Sequence, residues 1–318
     1  MKIVRFVLNI VLAAIVTCLI AAIFVVVGGL AITRVWENQG LDYGVQENGT
    51  WLWLDDEPIH YLEWGGADDP PVVLVHGRDI QGSVVWAGNA RDLSRRGYRV
   101  LAVDLRGYGH TTREGEAGLY SVEEQALLLA KVLNTLRVRD AVVMSHGSGA
   151  GVVLRLAAEQ PQFVKSLVLL SPHDGSDYER IWRTAAQWPY VGDAVTWYML
   201  SGGPVWEYRQ WQLLPDRDAL PDGYRRMCRA PSHTVGSVQS LLHVATLAAD
   251  EDPYVDISLD QPITVAVGVD DPTVDMSSAR DMARRLAAEL VVVQHAGHYP
   301  QLDRPTQVNR LVMDAQVP

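Results

Sequence analysis

The 318-residue chain contains only two cysteines, Cys18 and Cys228. Cys18 lies inside a long apolar run and Cys228 far out in the polar remainder, so the two cannot form an internal disulfide, and cysteine usage does not indicate a redox compartment. Basic residues are scarce too: 27 Lys and Arg against 38 Asp and Glu give a formal net charge of -11, with no basic run after the first five residues. A nucleic-acid surface needs clustered Lys or Arg, so that class is excluded, and the acidity serves solubility. The chain has no internal repeat and no low-complexity tract, and a hydrophobic content of 48% excludes disorder.

The longest apolar stretch runs from Phe6 to Ile32, broken only by Asn9, Thr17 and two glycines. About 20 apolar residues cross a bilayer as a helix, so residues 6-32 read as one membrane span within an anchor over 1-36. Lys2 and Arg5 precede it and a mixed Arg34/Glu37/Asp42 flank follows. The positive-inside tendency then puts the N-terminus in the cytoplasm and the globular part outside, as a single-pass membrane protein. The alternative is a signal peptide cleaved after the small residues of Gly29-Leu-Ala31, with secretion of the rest; the run is much longer than a usual signal core.

Beyond the anchor, residues 37-50 are polar with three glycines and read as a tether. Two edge strands are expected at Trp51-Leu54 and Ile59-Trp64, and a buried strand at Val72-Val75. A helix follows over about 84-96, then a strand at Tyr98-Val103. Ser121-Val-Glu-Glu124 is a capping box opening a helix to about Leu136. Asp140 to Glu159 reads as strand, sharp turn and helix, and Phe163 to Leu170 as another buried strand. Strands alternating with helices imply an α/β fold with a mostly parallel sheet and helices on both faces. The alternation stops over 173-260, where the pattern is helical and five of the ten tryptophans fall: Trp182, Trp188, Trp197, Trp206 and Trp211. It resumes with strands at Ile263-Val267 and Leu290-Val293 and helices over about 277-288 and 305-315. The reading is a core of 51-172 and 261-318 carrying a helical cap of 173-260.

Five motifs fall in one order: His76-Gly77, Asp104-x-Arg106-Gly107-x-Gly109, Ser145-His146-Gly147-Ser148-Gly149, Gly268-Val269-Asp270-Asp271-Pro272 and Ala296-Gly297-His298-Tyr299-Pro300. In this order and spacing the chain from about Tyr61 onward resembles the α/β-hydrolase superfamily with a helical cap. In that family a nucleophile sits on a strained strand-to-helix turn between small residues two before and two after it. The central motif keeps the small residues at Ser145 and Gly149 but has Gly147 at the nucleophile position; centring Ser148 instead leaves the bulky His146 two residues before it.

The resemblance implies that His298 is the catalytic base and that Asp271 orients it, with Asp270 and Asp174 as alternative acids. It implies an oxyanion hole from the backbone N-H groups of Arg78 and Ser148. His76 and His146 are packing or hydrogen-bonding residues near the site. His295 and His298 have the spacing of a metal pair on a helix, but Gly297 and the preceding strand make a loop, so neither metal nor cofactor is expected. Three outcomes stay open: Ser148 as a covalent nucleophile, a water activated by His298, or a catalytically silent fold that binds a hydrophobic ligand or an envelope or membrane protein partner. The expected activity is hydrolysis of an ester or similar bond in a small lipophilic substrate, for which tryptophans in a lid are suited.

Overall fold

A computed structural model describes residues 2-46, 48-78, 80-172, 177-200, 208, 212-214, 220, 223-247 and 259-315. Asp174, Trp206 and Trp211 lie outside the described residues. Eight strands form one sheet in the order β1-β2-β4-β3-β5-β6-β7-β8. They are β1 (Gly49–Leu54), β2 (Glu57–Trp64), β3 (Pro71–Val75), β4 (Arg99–Val103), β5 (Ala141–His146), β6 (Val164–Leu170), β7 (Ile263–Gly268) and β8 (Glu289–Val293). The β1-β2 and β2-β4 pairings are antiparallel, and every pairing from β4 to β8 is parallel. Asp55 and Asp56, at φ 51° and 66°, supply the two left-handed residues of the two-residue turn that closes the β1-β2 hairpin.

The central strands are apolar on both faces because both faces are covered. Val73, Val75, Leu101, Val103 and Val143 point to one buried cluster, and Val72, Leu74, Val100, Ala102, Val142 and Met144 to the other. This strict alternation fixes register, since a one-residue slip would exchange the two sets. Truncating one of these fully buried side chains, as in Leu74→Ala, is expected to cost about 2-5 kcal/mol. The first cluster is completed by helices Val122–Thr135 and Gly149–Glu159, the second by helices Ala87–Arg95 and Pro305–Asp314. Ser121 caps the first of these helices, its side chain accepting from the Glu124 N-H at 3.3 Å.

The helix expected over about 84-96 is divided: a 3-10 turn covers Gly82–Trp86 and an α-helix covers Ala87–Arg95. Val84, Val85 and Trp86 are all buried there, so packing rather than helical period sets the local backbone. Between β6 and β7 the described residues contain no strand; they form helices Asp177–Ala186, Val191–Leu200, Tyr224–Arg229 and Ser237–Leu247.

The first helix, Lys2–Trp36, is exposed over most of its apolar length, and its last two turns lie against the helix Val191–Leu200. Gly29 permits this approach: a Cβ there would sit 2.8 Å from the Ala194 Cβ. Trp36 stacks on His233 at 4.2 Å and donates its indole N-H to Ser232 Oγ at 3.0 Å. Glu37 accepts from the N-H groups of Val238 and Gly236 at 2.6 and 3.2 Å, capping the helix Ser237–Leu247 from outside its own chain segment. Gln39 continues the attachment with a backbone bridge to Thr234. The polar stretch after the apolar helix is therefore bound along its first residues to the inserted helices.

Candidate active site

The strand-to-helix turn after β5 has its left-handed residue at Gly147, φ 53°, while Ser148 has helical angles of -66° and -14° and is the N-cap of the following helix. Gly149 must be glycine for a different reason. A Cβ there would meet the carbonyl oxygen of His76 at 2.4 Å, so the helix approaches the end of β3 by the absence of a side chain. Ser145 is fully buried two residues before the apex. The small residues thus flank Gly147 symmetrically. A Cβ added at Gly147 would meet only the Gly77 Cα, at 3.9 Å, an ordinary contact.

His298 follows β8 on a loop held by buried contacts. The Gly297 N-H donates to Asp303 Oδ2 at 2.8 Å, the His298 N-H donates to the Leu213 carbonyl at 3.2 Å, and the His298 carbonyl lies 2.8 Å from His146 Nε2. His146, adjacent to the apex, therefore fixes the backbone of the histidine loop, and its ring stacks on Tyr299 at 4.7 Å. Asp271 lies after β7, and its Oδ2 is 3.0 Å from His298 Nδ1. Thr273 joins the pair: its Oγ1 is 2.8 Å from His298 Nδ1, and its N-H and Oγ1 both donate to Asp271 Oδ1 at 2.8 Å. Burial opposes ionisation of Asp271, but the hydrogen bond and charge of His298, with the two donors of Thr273, outweigh it and hold the carboxyl below the usual range. An ionised carboxylate beside Nδ1 keeps the proton on that nitrogen and leaves Nε2 as the basic one.

Asp270 faces away: its side chain is exposed and its N-H donates to the Ala296 carbonyl at 2.9 Å. His295 is exposed at φ 55°, outside helical geometry, so it and His298 do not share a helix face. Arg78 and Ser148 line one small cavity of about 60 Å³ together with His76, Tyr120 and Gln125. The side chain of Ser148 is half-buried in that cavity and makes no hydrogen bond to His298.

A second buried group anchors the loop that carries Gly77 and Arg78. Asp104, at the end of β4, accepts from the Ser83 N-H at 2.5 Å and the His110 N-H at 2.9 Å, and pairs with His60 Nδ1 at 2.7 Å. Burial opposes ionisation here too, yet the hydrogen bond and charge of His60, with His76 and His110, hold this carboxyl well below its ordinary value. Burial also lowers His110 to about 4. The loop after β4, which Asp104 opens, is bolted to the inserted helices by buried Arg113, which donates to Ser237 Oγ at 2.8 Å and to the carbonyls of Gly109 and Pro231.

Thr273, Asp303 and Glu37 were not singled out by sequence reasoning. Thr273 had a legible signal, since a threonine two residues after an aspartate forms a local hydrogen-bonded turn. Asp303 and Glu37 bond to backbone N-H groups in other loops and helices, which local sequence does not disclose.

Comparison with known proteins agrees with this architecture. Residues 70-305 match the family described as alpha/beta hydrolase fold. A haloalkane dehalogenase of Mycolicibacterium paratuberculosis is 33% identical over 117 residues, which are 36% of this chain and 38% of that protein. Epoxide hydrolase 1 of Caenorhabditis elegans is 22% identical over 279 residues, covering 79% of this chain and 66% of that protein. The chain therefore spans less than two thirds of the length of these curated relatives. Among solved structures, haloalkane dehalogenase DbeA from Bradyrhizobium elkani superposes with a TM-score of 0.69 at 21% identity, over 84% of this chain and 98% of that one. By the family match over most of its length, with the strand order and the loops that carry Gly147, Asp271 and His298, the chain is a member of the α/β-hydrolase fold family.

Proposed function

We propose that the protein is a membrane-anchored hydrolase that cleaves an ester or similarly polarised bond of a small lipophilic substrate by direct attack of water, with His298 as general base. The observation that carries this reading is the complete His298–Asp271–Thr273 array, tied through His146 to a turn whose apex, Gly147, has no side chain. His298 Nε2 takes a proton from water as the water oxygen bonds to the electrophilic carbon, and the histidine returns that proton to the leaving oxygen. The developing oxyanion is received by the backbone N-H groups of Arg78 and Ser148. Asp271 stabilises the imidazolium formed in between without accepting its proton. Relatives named for haloalkane and epoxide substrates support a small, largely apolar substrate.

Helical geometry at Ser148 and its place in a cavity apart from His298 argue against this serine as a covalent nucleophile. The helices of 173-260 serve as the cap, with Leu213 bonded to the His298 backbone. Retention of the N-terminal helix is supported by its packing: cleavage after Ala31 would remove the Gly29 contact with Ala194. With the span of 6-32 in the membrane, Lys2 and Arg5 before it favour a cytoplasmic N-terminus and an extracytoplasmic globular part.

The test uses the full chain in neutral detergent with short-chain p-nitrophenyl esters and a fluorophosphonate probe. Turnover that is lost in His298→Ala, survives in Ser148→Ala and is accompanied by no labelling is the expected result. Labelling that disappears in Ser148→Ala overturns the water mechanism in favour of a covalent serine. Absence of turnover in every form would make the protein a binding module.

A further inference from the structure

A cavity of about 950 Å³, which does not count His298 among its described lining residues, lies beside the end of the N-terminal helix. Three arginines line it, Arg91, Arg226 and Arg229, with Tyr43, Trp64 and His233. Arginine guanidinium groups along a concave surface recognise a phosphate, which each can bind in a bidentate fork.

The position of the cavity points to the source of that phosphate. His233, in its wall, stacks on Trp36, and the Arg229 guanidinium lies 5.1 Å from the centroid of the same indole. Trp36 follows the last apolar residue of the span, Ile32, by four residues, a rise of about 6 Å along a helix. The headgroup layer outside the hydrocarbon core is on the order of 5-8 Å thick on each side. With the span in the bilayer, the side of the cavity formed by Arg229 and His233 therefore sits at the level of the lipid phosphates, and Trp36 at the interface that tryptophan prefers. We infer that this cavity, formed by Arg91, Arg226 and Arg229 beside Trp36, binds the phosphate of an anionic phospholipid headgroup and thereby orients the globular part on the membrane.

The assignment to lipid rests on the anchored reading of the N-terminal helix, whereas phosphate recognition does not. Both are read with the full chain in neutral maltoside detergent. In one arm, native mass spectrometry follows retention of phosphatidylglycerol against phosphatidylcholine; in the other, calorimetry follows inorganic phosphate. Each is repeated on Arg91→Gln/Arg226→Gln, both exposed positions outside the catalytic loops. Preferential phosphatidylglycerol retention that weakens on the order of tenfold or more in the double variant is the expected result, since each basic group near a membrane surface contributes about fivefold. Binding of inorganic phosphate without preference for phosphatidylglycerol, lost in the same variant, overturns the lipid assignment. Binding of neither, or binding unchanged in the variant, overturns the site. A native protein found soluble and beginning after Ala31 would sink the anchored reading separately, leaving the phosphate arm to judge the cavity.

Discussion

Thr273 Oγ1 and Asp271 Oδ2 converge on one nitrogen of His298, at 2.8 and 3.0 Å. The threonine hydroxyl donates to Asp271 Oδ1, so it locks the carboxylate plane while crowding the same imidazole edge. Asp271→Asn removes the charge that stabilises the imidazolium and permits the wrong tautomer, so kcat/KM is expected to fall on the order of 10³-10⁴-fold. Thr273→Val removes orientation only, with an expected loss of roughly tenfold. Steady-state kinetics on a p-nitrophenyl ester check both; equal losses would mean that the threonine is needed for the fold of the loop. The depressed carboxyl of Asp271 also adds stability that is fully present above the ordinary aspartate value of about 4 and is lost as pH falls below it.

Gly147→Ser is expected to fold, because the Cβ would meet only the Gly77 Cα at 3.9 Å. The left-handed angle at that position costs a non-glycine residue about 1-3 kcal/mol, which a denaturant titration should register. The new hydroxyl would occupy the family's nucleophile position, between Ser145 and Gly149. Fluorophosphonate labelling is then expected to appear in the variant and not in the parent protein. Failure to label in a folded variant would mean that the oxyanion and histidine positions are not poised around the apex.

His110 provides a pH test of the loop beneath the site. Its folded-state value, lowered by burial to about 4, lies below the ordinary histidine value of about 6.5. Between those values the unfolded chain holds the additional proton, so stability falls as pH drops from 6.5 to 4 and loses no more from this group below it. The span corresponds to about 3 kcal/mol. His110→Asn can keep the donor to the Leu41 carbonyl that Nδ1 supplies at 2.8 Å, but it cannot titrate. Urea midpoints measured across this range should show a flatter pH dependence in the variant; an unchanged slope would assign the acid sensitivity to another group.

The sheet and the positions of the site loops were legible because each rests on local pattern. Apolar runs such as Val72-Val75 mark strands buried on both faces, and Gly or Asp at their ends marks the loops. The turn at Gly147 could be placed from Ser145 and Gly149 alone, since close helix-strand approach restricts side-chain size at those two positions. What remained hidden depends on partners distant in sequence. Glu37 looks like a flanking charge until Gly236 and Val238 are brought beside it, and Asp303 looks like a surface acid until it accepts from Gly297. Arg226 and Arg229 share a helix, but nothing local joins them to Arg91.

The junction between the N-terminal helix and the inserted helices yields the last expectation. Glu37 caps the helix Ser237–Leu247, and burial pushes its carboxyl up while the two backbone N-H groups oppose that shift. Losing the cap in Glu37→Ala should cost roughly 1 kcal/mol, the ordinary value for a helix N-terminus. At Gly29 any side chain would press on Ala194, 2.8 Å from the position of its Cβ, so Gly29→Leu should force the two helices apart at a cost of about 1-3 kcal/mol. Both changes act on one interface, the first at its outer end and the second within it. Once Gly29→Leu has separated the helices, the bond from Glu37 to Val238 is already weakened, and removing it should cost less. Thermal unfolding of the two single variants and the double variant, followed in detergent, is therefore expected to show a double loss smaller than the sum. Strict additivity would mean that the end of the N-terminal helix and the inserted helices move independently, and that Glu37 is joined to the helix Ser237–Leu247 only locally.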